Sequence, residues 1–157
     1  MPPKYFDFRM ISLWAIFAII MTIMIKIGSK NTLDSRLFYS GAEATQYLSS
    51  LNDRDVYRYL VTEFFDMSFI VTYASTLYLT LKRVFFINQK IKYLAFFPAA
   101  FDFVETQSII LFLTNGTNFS SSIKWLGYVT LFKWISLVLL TLVIMKKIAK
   151  SIFQKKL

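Results

Sequence analysis

The 157-residue chain contains neither cysteine nor histidine. Without cysteine there is no disulfide, no thiolate metal site and no thiol nucleophile. Without histidine the commonest general base and the commonest transition-metal ligand are lost together. Glycine occurs only at Gly28, Gly41, Gly116 and Gly127. Glycines so far apart build neither a phosphate cradle nor a dinucleotide fingerprint. Acidic residues are scarce, nine against eighteen Lys and Arg, for a net charge of +9. Apolar residues are plentiful, at 56%, with seventeen Phe. That exceeds the roughly 45–50% of soluble domains, and the excess lies in blocks. The basic residues flank those blocks, a distribution that fits a lipid partner and not nucleic acid.

Four blocks read as transmembrane helices, at about 10–27, 59–82, 93–114 and 123–145. The expected fold is all-α, a polytopic four-helix transmembrane bundle forming a single integral membrane domain over 1–157. Met10 to Ile25 is interrupted only by Ser12 and Thr22. It is long for the apolar core of a signal peptide, and Ile27 suits the minus-three position of a cleavage site poorly. A retained first helix is expected.

Between the first two blocks lies the only extended polar region. Ser40-Gly41-Ala42-Glu43 has the form of a capping box. Ala44, Tyr47, Leu48 and Leu51 follow at helical spacing. Asn52 then suits an N-cap, with Asp53 and Asp55 complementing the next helix dipole. A short amphipathic helix at about 41–51 is therefore expected in the first external loop. It would lie on the bundle or in the lipid interface, or act as a lid.

The N-terminus, the 82–92 loop and the C-terminal tail are basic, whereas 114–122 has no charge. The Lys/Arg rule then places both termini on the cytoplasmic side, in a plasma or inner membrane or the endoplasmic reticulum. The triplets Asn115-Gly116-Thr117 and Asn118-Phe119-Ser120 are external glycosylation sequons in form and decide nothing alone.

The spans carry charges that lipid should forbid. Glu63 and Asp66 lie in the second, Asp102 and Glu105 in the third, and Lys133 near the middle of the fourth. Such groups normally face a bundle interior or a water-filled cavity. Asp66 falls about seven residues into its helix, roughly 10 Å deep, and Asp102, Glu105 and Lys133 reach a similar slab. Spacing puts Glu63, Asp66, Ile70, Tyr73 and Leu77 on one stripe. Pro98, Asp102, Glu105, Ile109 and Phe112 form a second, and Thr130, Lys133, Leu137 and Thr141 a third. Lys133 is the expected neutralising partner of Asp102 or Glu105. Four carboxylates with one lysine cannot all ionise in low dielectric unless a cation joins them.

The candidate ligand- or ion-binding residues are thus Glu63, Asp66, Tyr73, Asp102, Glu105 and Lys133. Any metal would fall to Asp66, Asp102 and Glu105, whose oxygen ligands favour Ca²⁺, Mg²⁺ or Mn²⁺. Carboxylate di-metal bundles use Glu-x-x-His, which a chain without histidine cannot supply. No cofactor is expected, and no catalytic residue is assigned.

Phe38-Tyr39-Ser40, Asp66-x-x-Phe69-x-x-x-Tyr73 and Pro98-x-x-x-Asp102-x-x-Glu105 resemble a family of small four-span proteins, mostly bacterial, without assigned function. The resemblance covers roughly residues 34–110 and implies that Asp66, Tyr73, Asp102 and Glu105 form the family's site. Thr106 stands where that family tends to have Asn. More loosely, four spans, a long first external loop, intramembrane acids and a lysine-rich tail are similar to the EXPERA fold of sterol isomerases and sterol-binding receptors. This chain departs from it in lacking histidine and any acid in the first span.

Three functional classes stay open on sequence. One is a protein whose acidic pocket holds a proton, a cation or the polar head of a lipid-like ligand. Another is an intramembrane lipid or sterol-type isomerase using carboxylate acid–base chemistry. The last is a structural subunit whose polar faces meet partner helices, in a homo-oligomer or a larger membrane complex.

Overall fold

A computed structural model describes residues 8–27, 32–84, 90–116 and 123–153. These form five α-helices, and no strand occurs among the described residues. They are α1 (Phe8–Ile27), α2 (Gly41–Ser49), α3 (Asp53–Val84), α4 (Phe96–Asn115) and α5 (Leu126–Phe153). The expected helices all have counterparts, with shifted ends. α2 stops two residues short of the expected 51, and α3 begins six before 59. The third block divides into a 3-10 turn, Ile91–Ala95, and α4 proper. Pro98 is the third residue of α4, in the first turn, where its missing N–H has no helical partner to lose. α5 starts at Leu126, not 123, and continues past the last apolar turn to Phe153. The sequon Asn118-Phe119-Ser120, most of the 114–122 connection and Lys155 and Lys156 lie outside the described residues.

Three helices are long and apolar enough to cross a membrane, over Asp53–Lys82, Ile91–Asn115 and Leu126–Lys147. The apolar run of α1, Ile11–Ile27, is shorter. Large apolar side chains face outward along all of them, including Ile19, Val71, Phe97 and Leu139. Meanwhile Glu63, Asp66, Asp102, Glu105 and Lys133 are buried. Polar inside and apolar outside is the arrangement a hydrocarbon solvent selects.

The helices pack in a chain of neighbours. α3 contacts both α1 and α4, and α4 contacts both α3 and α5. Phe17 of α1 stacks on Phe69 of α3 with ring centroids 4.9 Å apart. α3 also touches α5.

α2 and its approach are tied down locally. The Ser40 amide donates to Glu43 Oε2 at 2.7 Å, and the Glu43 amide donates to Ser40 Oγ at 3.2 Å. The Asp55 amide donates to Asn52 Oδ1 at 3.0 Å at the start of α3. Ala44 and Leu48 are buried, with Tyr47 and Leu51 packed beside them. They share one apolar cluster with Leu33, Tyr39, Tyr59, Ile109, Phe112, Ile123 and Leu126. The segment before α2 is pinned as well. The Leu33 amide donates to the Tyr59 hydroxyl at 3.0 Å, and Trp134 Nε1 donates to the Arg36 carbonyl at 3.1 Å.

Gly127 makes that docking possible. A Cβ there would fall 1.7 Å from the Tyr39 carbonyl oxygen. The backbone of the 32–40 segment rests directly on the first turn of α5.

Candidate functional site

The three stripes face inward as expected, with one departure. Glu63, Asp66, Ile70 and Tyr73 are buried, as are Pro98, Asp102, Glu105, Ile109 and Phe112. On α5, Thr130 and Lys133 are buried and Leu137 half-buried, but Thr141 is exposed. Its hydroxyl turns back to the Leu137 carbonyl at 2.9 Å and leaves the interior.

α4 gathers the acids. Lys133 Nζ lies 2.9 Å from Asp102 Oδ1 and 2.6 Å from Glu105 Oε2, so one ammonium bridges two carboxylates. Asp102 and Glu105 are three residues apart, which places both on the helix face opposite α5. On its other flank, α4 presents Thr106, whose hydroxyl donates to Asp66 Oδ2 of α3 at 2.7 Å. Asp66 faces Asp102, Lys133 and Glu105 electrostatically. Tyr73, two turns further along α3, points its buried hydroxyl into the same space, with Asp102 its strongest charged neighbour. That hydroxyl makes no well-formed hydrogen bond. Glu63 is fully buried on the Asp66 stripe, one turn earlier.

Two residues outside the expected set complete the cluster. Tyr39 enters from the segment before α2, and its hydroxyl donates to Glu105 Oε1 at 2.9 Å. Thr130 also reaches Glu105 Oε1, and its hydroxyl lies 3.1 Å from both the Tyr39 hydroxyl and the Leu126 carbonyl. Thr130 sits three residues before Lys133, so helical spacing had put it on the right face. Tyr39 lies in irregular chain, where no periodicity marks which side chain turns inward. Its sequence signals were its place beside the capping box and in the Phe38-Tyr39-Ser40 motif of the resemblance, neither of which assigned it to the site. Thr106, noted only as standing in for an Asn, acts as a hydroxyl donor.

Apolar residues flank the cluster along the bundle axis. Ile109 and Leu126 of the apolar cluster lie one turn beyond Glu105 and Thr130. Ile70, Tyr73, Ala74 and Ala99 form a second apolar cluster on the other side of Asp66 and Asp102. A shallow apolar groove of about 360 Å³ runs along the outer α3–α4 seam, lined by residues such as Val71, Ala74, Ala100 and Phe103. None of the acids lines it.

Chemically, the cluster can hold a positive charge in addition to Lys133. Three carboxylates and one ammonium share a buried slab, and close like charges there do not all ionise together. Among the described residues, no group of three or more acids is spaced to hold a metal ion. No protein family, curated protein or solved structure matches the chain.

Proposed function

We propose that this chain is a four-span integral membrane protein whose buried acidic cluster binds and releases a proton. α1 is the first span, since its 17-residue apolar run extends roughly 25 Å at helical rise and packs on α3. α2 is then an amphipathic helix in the first external loop, with its apolar face on the bundle and both termini cytoplasmic, as the Lys/Arg bias of the loops requires. Lipid covers the exposed apolar faces. The likeness to the small four-span family, and the looser one to the EXPERA fold, are part of this proposal and rest on the residues quoted above.

One observation carries the proton reading. Lys133 is set between Asp102 and Glu105, while the third carboxylate, Asp66, is met by the Thr106 hydroxyl. A proton needs no coordination cradle and fits a site with only hydroxyls for company. A lipid head or an isomerase substrate would have to reach the acids, and the lateral groove is not lined by them. Those readings therefore rank behind.

Infrared difference spectroscopy of the purified protein, with pH stepped upward, tests the proposal. The parent protein should lose a protonated-carboxyl carbonyl band, and Asp66→Asn should lack that band. Absence of any such band in the parent would overturn the reading.

A further inference from the structure

Glu105 is the most heavily solvated carboxylate of the cluster, although no bulk water surrounds it. Oε1 accepts from the Tyr39 hydroxyl at 2.9 Å and lies against the Thr130 hydroxyl, and Oε2 faces Lys133 Nζ at 2.6 Å. Thr130 has a single hydroxyl proton, with Glu105, the Tyr39 hydroxyl and the Leu126 carbonyl all in range. Tyr39 is therefore the donor that frees Thr130 to serve any of them. Both oxygens of Glu105 thus face donors, and those donors favour its charged form. A proton of its own would displace one of those bonds. Asp66, in contrast, accepts from the single Thr106 hydroxyl.

The anchorage of Tyr39 is independent of its hydroxyl. The Tyr39 backbone lies against Gly127, where a Cβ would come within 1.7 Å of its carbonyl oxygen. Two residues on, a Cβ at Gly41 would come within 2.5 Å of the Lys124 Cα. Trp134 holds the Arg36 carbonyl. The ring is delivered to Glu105 by backbone docking, so the hydroxyl is free to serve the acid. Its reach is long in sequence, from residue 39 to residue 105, which local packing alone does not require.

We propose that Tyr39 is a positioning residue that assigns the exchangeable proton of the cluster to Asp66, by giving Glu105 a hydroxyl donor that favours its charged form. The proposal rests on the proton-binding reading above. The groups facing Asp66 are Asp102, Glu105 and Thr106 on α4, Lys133 on α5, and Tyr73 on its own helix, where Glu63 is buried one turn earlier on the same stripe. The run of α1 from Ile11 to Ile25, which packs on α3, contains no ionisable side chain. With the Tyr39 hydroxyl gone, Glu105 loses a donor and competes with Asp66 for the proton. Neither group is altered covalently. One proton moves between two carboxylates.

The test is infrared pH titration of the full-length protein in detergent, comparing the parent with Tyr39→Phe, Thr130→Val, Asp66→Asn and Tyr39→Phe/Glu105→Gln. In the parent, the protonated-carboxyl band should vanish with Asp66→Asn. Tyr39→Phe should add a second carbonyl component, and the double variant should lose that component again. Thr130→Val removes a donor from the same oxygen without touching the 32–40 segment, and should give the same component should Tyr39→Phe fail to fold. A spectrum unchanged by Tyr39→Phe, beside an Asp66-sensitive parent band, would overturn the role of Tyr39, and one unchanged by Thr130→Val would overturn the donor control of Glu105 on which that role depends; either leaves the proton site standing. A parent spectrum with no Asp66-sensitive band would overturn both.

Discussion

Among the described residues of the buried slab, Lys133 supplies the positive charge, and its two contacts set what substitutions do. Breaking a buried ion pair from one side strands a charge, at a cost of about 3–5 kcal/mol, whereas a matched neutral replacement costs far less. Lys133→Met should therefore destabilise strongly, and adding Asp102→Asn or Glu105→Gln should recover part of the loss. Thermal unfolding in detergent across the cycle should give a coupling well above the roughly 0.3–0.5 kcal/mol expected of independent sites. Additive effects would mean the groups do not act together. The pairing of Lys133 with acids of α4 was readable from depth alone, because helical rise converts residue count into ångströms. That Lys133 holds both acids was not readable. It depends on the rotation of α4 against α5, which no single-helix pattern contains. Tyr39 was hidden for a related reason, since irregular chain has no repeat to assign its faces.

At the scale of elements, the docking of the 32–40 segment depends on Gly127. The methyl of Gly127→Ala would have to displace the Tyr39 carbonyl, an overpacking that typically costs about 1–3 kcal/mol. Hydrogen exchange at the Leu33 amide, held by the Tyr59 hydroxyl, should speed up in this variant. Unchanged protection there would show that the segment is held by other means. The start of α2 responds to acid instead. The Ser40 backbone amide, followed by the Ser40 hydroxyl and then Arg36, holds the Glu43 carboxyl below its ordinary range. A carboxyl held low in the folded state contributes stability above its unfolded value and loses it as pH falls through the folded one. Protection of the Ser40 amide, taken relative to its intrinsic exchange rate, should accordingly fall on acidification, while in Glu43→Gln, which keeps the box without the charge, it should stay flat. Equal acid sensitivity in both proteins would remove Glu43 as the cause. The capping box was legible because it is local. The ends of α3, α4 and α5 were less so, because a hydropathy block marks where lipid begins, whereas a helix continues until its backbone finds another partner. Gly116 shows such an ending. It closes α4 at φ 66° with its amide on the Phe112 carbonyl, a conformation that glycine adopts without strain.

For the whole molecule, the inside-out distribution of polarity is the organising fact. The sequence drew attention to the second span, with Glu63, Asp66 and Tyr73, whereas the polar contacts of the cluster centre on α4, whose Asp102, Glu105 and Thr106 meet α5 and α3. Composition along a chain cannot reveal that order, because each helix shows its own stripe and not its neighbour. Once α4 is central, the cluster joins three helices and the segment before α2 through Asp66–Thr106, Lys133–Asp102, Lys133–Glu105 and Tyr39–Glu105. These contacts bind the fold together and concentrate negative charge at the same place. Whether that charge is balanced by an exchangeable proton is measured most directly by counting protons. Purified parent protein and Asp66→Asn, brought from mildly acidic to alkaline pH in a weakly buffered detergent solution with a pH indicator, should differ by about one proton released per chain. Equal release from the two proteins, both folded, would contradict it.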